Sequence, residues 1–216
     1  MTGLFKWGGR KDEGPSAAPA ATVAAVAEPL STSKILPKLI SVLSHVESPI
    51  LMDLGPVVGS NIAFFGEQLA CKIFVEDLFA EVETRARRGA REELAEALVA
   101  RLARPPASVD GILCWDVFDY LDRPASQALA AHLMKLLKPG GVLYGFFGAT
   151  QAELKHYTRF IVDDIHGFRL RQSPATPTKR NVLVTRDINR MFEGLTVAES
   201  VLLKSNARET LFRKPS

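Results

Sequence analysis

Short apolar runs alternate with helical stretches through the middle of the chain. The runs 50–54, 71–75, 111–115 and 142–147 are almost wholly apolar, as expected of strands that are covered on both faces. Between them, apolar residues recur every three or four positions, which indicates helices. This alternation predicts an α/β fold, a three-layer Rossmann-like and mostly parallel sheet with right-handed crossovers.

The predicted helices lie between these strands. They cover residues 35–45, 60–70, 79–106, 126–137 and 185–192. Pro37 lies in a first turn, where its missing N–H costs little. Within 79–106 the repeat of Leu94, Leu98 and Leu102 predicts one charged amphipathic helix.

After Gly148 the pattern changes to short alternating runs around polar turns. Segments 157–162 and 167–171 predict one hairpin, and 195–203 with 209–213 predict a second at the C-terminus. The fold class is therefore a parallel sheet closed by a C-terminal antiparallel hairpin.

The first part of the chain differs from the rest in composition. Residues 1–32 are rich in Ala and Pro and lack a helical or strand period, so we expect a disordered N-terminal tail followed by one domain over 33–216. Leu4, Phe5 and Trp7 are apolar enough to bind a protein partner, although an unremarkable terminus is the simpler interpretation.

Cysteine, histidine and hydropathy patterns exclude several classes of protein. The only cysteines among the 216 residues, Cys71 and Cys114, lie in predicted strands and indicate reduced thiols in a cytoplasmic protein. The four histidines are scattered, so no metal site is predicted. No apolar stretch is long enough to span a membrane.

Charge is distributed unevenly along a chain whose net charge is +3. Residues 152–216 hold 12 basic and 7 acidic side chains. Such a surplus suits a nucleic acid partner, but a solvated strand face explains it equally simply and is the preferred interpretation.

Residues able to bind a ligand follow three predicted strands. In an open α/β sheet, ligands bind at the carboxyl ends of the strands, where these residues would meet. The candidate binding residues are Asp53, Gly55, Pro56, Gly59 and Asn61 after the first strand, Glu76 and Asp77 after the second, and Trp115 and Asp116 after the third.

The ordered chain resembles the class I S-adenosylmethionine-dependent methyltransferases. The resemblance is carried by Leu136–Leu143, which is similar to the segment entering the family's fifth strand, by Asp110–Leu121 and by the ending Leu195–Lys214. It implies S-adenosylmethionine as cofactor. The first-strand acid and glycines would hold its methionine part, and Glu76 or Asp77 its ribose.

Two departures from the family pattern stand out. Val57 takes the place of the middle glycine of the loop and would add bulk near the cofactor. No third strand is visible within 79–106. Because the cofactor's methyl group is already activated, the family needs little from a catalytic residue; His156 and Tyr157 are the weak candidates for a general base.

Several functions remain open at this point. The leading one is methyl transfer to an unidentified acceptor, and the alternative is a non-catalytic scaffold of the same fold that contacts RNA through the basic C-terminal third. A nicotinamide-dependent oxidoreductase is disfavoured, because its glycine fingerprint counted from Gly55 would meet Val57 and Ser60 where it requires glycine.

Overall fold

The computed structural model describes residues 28–216, and two sheets account for their strands. The strands are β1 (Leu30–Thr32), β2 (Ile50–Asp53), β3 (Lys72–Val75), β4 (Val109–Trp115), β5 (Leu137–Gly148), β6 (Glu153–Asp164), β7 (Gly167–Lys179), β8 (Thr196–Leu202) and β9 (Ala207–Arg213).

The larger sheet has the order β3-β2-β4-β5-β9-β8. Strands β2 to β5 pair in parallel, whereas β9 and β8 form an antiparallel C-terminal hairpin on β5. The fold prediction is thus confirmed, including the contact between the first strand of the sheet and the strand that ends at Trp115. Among the described residues the sheet ends at β3, so the missing third strand is also confirmed.

Helices cover both faces of this sheet and make three layers. They are α1 (Leu36–Leu43), α2 (Gly59–Leu69), α3 (Leu78–Arg88), α4 (Leu94–Arg101), α5 (Arg123–Leu136) and α6 (Thr185–Met191). Helices α1 and α2 pack on one face through Leu39 and Phe65. Helices α3 to α6 pack on the other through residues such as Leu98 and Leu129.

The second sheet is a long hairpin of β6 and β7, to which β1 adds a third, antiparallel strand. It is tied to the rest of the fold by Asn61 near the start of α2. The Asn61 amide donates to the carbonyl of Phe160 at 2.7 Å and accepts from the N–H of Val162 at 2.9 Å. The hairpin therefore lies next to the carboxyl ends of the parallel strands.

Two boundaries differ from the sequence prediction. Leu30–Thr32 form β1, so ordered structure begins before the predicted domain boundary at Ser33. Residues 1–27, which hold most of the predicted disordered tail and the segment predicted to bind a protein partner, lie outside the described residues. Segment 79–106 holds two helices rather than one, because Gly89 adopts a left-handed conformation that ends α3.

We expect Asn61→Ala to weaken the attachment of the hairpin. Asn61 is 2% exposed, so its loss leaves a buried carbonyl and a buried N–H without partners. At about 1–3 kcal/mol for each such group, the free energy of unfolding should fall by about 2–6 kcal/mol in urea titrations. The exposed Asn189→Ala on α6 is the control and should change it by less than about 0.5 kcal/mol. Equal effects of the two substitutions would contradict this role.

Candidate functional site

Asp53 and Trp115 meet at the carboxyl ends of the adjacent strands β2 and β4. The indole Nε1 of Trp115 donates to Asp53 Oδ1 at 2.6 Å, and the same oxygen accepts from the N–H of Gly55 at 2.8 Å. Burial raises the pKa of Asp53 to about 6 even though these two hydrogen bonds favour its charged form. Asp53, which is expected to bind a ligand, therefore accepts its hydrogen bonds from Gly55 and Trp115 of the same chain.

The indole of Trp115 fills the space between these strand ends and the hairpin. It stacks on the Phe160 ring at 5.0 Å between centroids, and Phe160 stacks in turn on Phe146 at 4.9 Å. Phe168 meets the indole edge-on. Trp115 is only 2% exposed, so this aromatic group is part of the packed core.

Position 55 has to be a glycine because the Trp115 indole leaves no space for a side chain there. A Cβ placed on Gly55 would lie 2.5 Å from Cδ1 of the Trp115 indole and 2.8 Å from its Nε1, which is closer than real side chains approach. The surface of Gly55 is therefore covered by the indole.

Glu76, which is predicted to bind the ribose of the cofactor, already has hydrogen-bond partners within the protein. Its carboxylate accepts from Arg104 at 2.9 Å, and the Arg104 guanidinium lies 3.7 Å above the ring centre of Phe74. The backbone carbonyl of Glu76 accepts from Arg101. These arginines come from α4 and its end, the region that stands in place of a third strand.

Of the remaining predicted residues, some lie near the crevice and others form hydrogen bonds with backbone groups. Pro56 is half-buried and Gly59 is exposed at the start of α2, while Asn61 holds the hairpin. Asp77 caps α3 by accepting from the N–H of Ala80. The side chain of Val57 is 58% exposed, so the structure does not support the expectation that it crowds the crevice.

Asp116, which is half-buried, lies near the buried carboxylate of Asp119. One Asp116 carboxylate oxygen is shielded from solvent and has no partner among the described residues. Burial, together with the nearby Asp119 charge, raises the pKa of Asp116 to about 8. Asp119 itself accepts from the N–H of Gly148 and pairs with Arg180, and burial raises its pKa to about 6.

His156 and Tyr157 do not form the predicted general-base pair. They are neighbours on β6, so their side chains point to opposite faces. His156 is exposed, whereas Tyr157 is buried and donates to Glu83 at 2.8 Å. Burial and this carboxylate raise the pKa of Tyr157 well above its ordinary value, so it does not suit the role of a general base.

Several residues that shape the site were missed by sequence reasoning. Glu83 on α3 accepts from Tyr157 and from the backbone and hydroxyl of Thr176, which fixes the far end of the hairpin. Although burial raises its pKa, these bonds lower the value to about 2. Glu83 lies in a charged helical run, where nothing in the local pattern distinguishes it from its solvated neighbours.

Comparisons with known proteins agree with the fold. Residues 52–145 match the family model described as a methyltransferase domain. An S-adenosylmethionine-dependent methyltransferase from Mesorhizobium loti is similar at 13% identity, with a TM-score of 0.52 over 84% of this chain and 98% of that one. Comparison with curated proteins by sequence gives no match.

A second solved structure is 1,6-didemethyltoxoflavin-N1-methyltransferase of Burkholderia thailandensis, in a complex with 1,6-didemethyltoxoflavin and S-adenosylhomocysteine. It is 15% identical, with a TM-score of 0.50 over 85% of this chain and 79% of that one. The chain therefore has the fold of the class I S-adenosylmethionine-dependent methyltransferases.

The resemblance seen in the sequence implies that Asp53, Gly55 and Glu76 would hold S-adenosylmethionine, and all three lie at the carboxyl ends of β2 and β3. Their arrangement does not accommodate it in this conformation. The indole of Trp115 lies against Gly55 and Asp53, and Arg104 occupies Glu76. No group of three or more potential metal ligands occurs in residues 28–216, and no helix there is long and apolar enough to cross a membrane.

The raised pKa values of the buried acids predict that stability falls as pH rises. Asp53 and Asp119 have folded pKa values of about 6 and Asp116 of about 8, all above the ordinary value of 3.8. The folded state therefore holds these protons more tightly. The stabilisation of the folded state by these protons is complete below about pH 4. It is lost as the pH rises through about 6 for Asp53 and Asp119 and through about 8 for Asp116.

Asp116→Asn should flatten the upper part of this decline, because the amide stays neutral. Urea titrations between about pH 6 and 9 should show the wild type losing roughly 1–3 kcal/mol more than the variant. Glu67→Gln, an exposed change on α2, is the control and should follow the wild type. A decline of the same steepness in Asp116→Asn would show that Asp116 does not titrate in this range.

Proposed function

We propose that this protein is an S-adenosylmethionine-dependent methyltransferase, acting on an unidentified acceptor, whose cofactor crevice is closed in the free chain by Trp115. The family match spans the ends of β2, β3 and β4, and the acids and first glycine of the crevice are retained. Binding requires the indole to leave the space between Gly55 and Phe160.

The observation that carries this proposal is the position of the Trp115 indole. Trp115 has a φ of +49°, a conformation that costs energy for a residue with a side chain. Burial, stacking and the bond to Asp53 compensate for that cost. If the closed state is favoured by about 3 kcal/mol, the apparent affinity for the cofactor falls about a hundredfold.

A second candidate is a non-catalytic scaffold, and two observations favour it. The Arg104 guanidinium competes for Glu76, and β3 is an edge without the strand that would follow it. In that case the closed crevice is permanent, and the fold serves to present surfaces to a partner. Nucleic acid, a protein bound by the N-terminal tail and a cytoplasmic location remain predictions from the sequence.

Trp115→Gly separates the two candidates. Glycine adopts the positive φ freely, and its substitution removes the indole from the crevice. Calorimetric titration with S-adenosylmethionine and S-adenosylhomocysteine should show weak binding by the wild type and at least about tenfold tighter binding by the variant. The chain has only two tryptophans, so a Trp7→Phe protein reports Trp115 fluorescence alone, and we expect that fluorescence to change on binding.

Phe192→Ala is the matched control. Phe192 is buried in the core beneath α6, so its loss makes a cavity without opening the crevice, and cofactor affinity should stay as in the wild type. Circular dichroism verifies that each variant is folded. A folded Trp115→Gly protein that binds neither ligand at millimolar concentration would reject the methyltransferase proposal in favour of the scaffold.

A further inference from the structure

A cleft beside the start of α2 is lined by arginines. We call it the arginine cleft, and it is formed by Val57–Ser60 with Arg159, Ile161, Arg169 and Arg171 of the hairpin. Its volume is about 260 Å³. Asp53, Gly55 and Trp115 do not line it, so a ligand there does not need to displace the Trp115 indole, although the cleft includes Gly59 of the candidate loop.

The arginines share one face of the hairpin and oppose each other. Arg159 is the cross-strand partner of Arg171, and Ile161 is the partner of Arg169, two positions along β7. Like charges directly opposite on neighbouring strands repel. This arrangement calls for an anion between them.

Carboxylates of the protein neutralise two of these three arginines. The Glu28 carboxylate bonds to Arg171 and to Arg169, and Asp163 bonds to Arg169 at 2.7 Å. No carboxylate within residues 28–216 pairs with Arg159. The Arg159 Nε is shielded from solvent and has no hydrogen-bond acceptor within residues 28–216. A buried donor without an acceptor destabilises the fold, and a bound anion would remove that cost.

The start of α2 adds positive potential to the same space. This helix of 11 residues has no side-chain cap at Val58 and no acid in its first turn. Its first N–H groups therefore lack a side-chain acceptor. Gly59 has nothing within 4 Å of the position of a Cβ, so the space beside the helix is open.

We propose that the arginine cleft binds the phosphate group of a small phosphorylated molecule. Guanidinium forks and helix N–H groups are the donors that suit a phosphate, and three sides of the cleft supply them. The volume admits a phosphoryl group with a few further atoms. S-adenosylmethionine carries no phosphate, so this site is additional to the proposed function and does not depend on it.

The test compares wild type with Arg159→Gln, using inorganic phosphate as the probe. Phosphate should bind the wild type with millimolar affinity by calorimetry and raise its melting temperature. In Arg159→Gln we expect at least about tenfold weaker binding, since a charge-assisted donor is lost. Without phosphate, that variant should melt higher than the wild type, because repulsion from Arg171 is relieved.

Arg186→Gln is the matched control, since Arg186 is an exposed arginine outside the cleft and should leave phosphate binding unchanged. Equal melting shifts from sodium chloride at matched ionic strength would overturn the proposal, as would wild-type affinity in Arg159→Gln. A short single-stranded RNA that binds more than about a hundredfold more tightly than phosphate, with a steep salt dependence, would replace the small molecule by RNA.

Discussion

The hydrogen bond between the Trp115 indole and Asp53 organises the functional end of this fold. It joins the ends of two adjacent parallel strands, and it holds the indole against Gly55. Because Trp115 also stacks on Phe160, the same side chain connects the parallel sheet to the hairpin. Its positive φ is sustained by these contacts, which together outweigh a backbone cost of order 1–3 kcal/mol.

The hairpin is fixed at both sides of the crevice that it covers. Asn61 holds β6 to α2 on one side, and Glu83 holds Tyr157 and Thr176 to α3 on the other. Opening the crevice from the hairpin side would break both attachments, whereas rotating the indole out would break one hydrogen bond, the stack on Phe160 and the edge contact with Phe168. The tryptophan is therefore the weaker barrier, and this is why a change at position 115 tests ligand access more directly than a change in the hairpin.

The fold was largely predictable from the sequence, whereas the state of the site was not. Apolar runs ending at Asp53, Glu76 and Trp115 fixed the parallel strands, since only burial on both faces explains such runs. The break at Gly89 was missed because a helix-ending glycine and a tolerated internal glycine look alike in one sequence. Long-range contacts, such as that between Arg104 and Glu76, leave no local pattern at all.

Gly55 shows why a motif alone cannot decide the function of this chain. A glycine after the first strand allows close approach of another group, but the motif does not say which group approaches. Here the group is an indole of the same chain. Under the proposed function, the cofactor and the indole would compete for this one surface. Their balance is set by the stacking on Phe160, the bond to Asp53 and the strain at Trp115, and not by the number of glycines in the loop. Replacing Val57, which is exposed, leaves all three of these contributions unchanged.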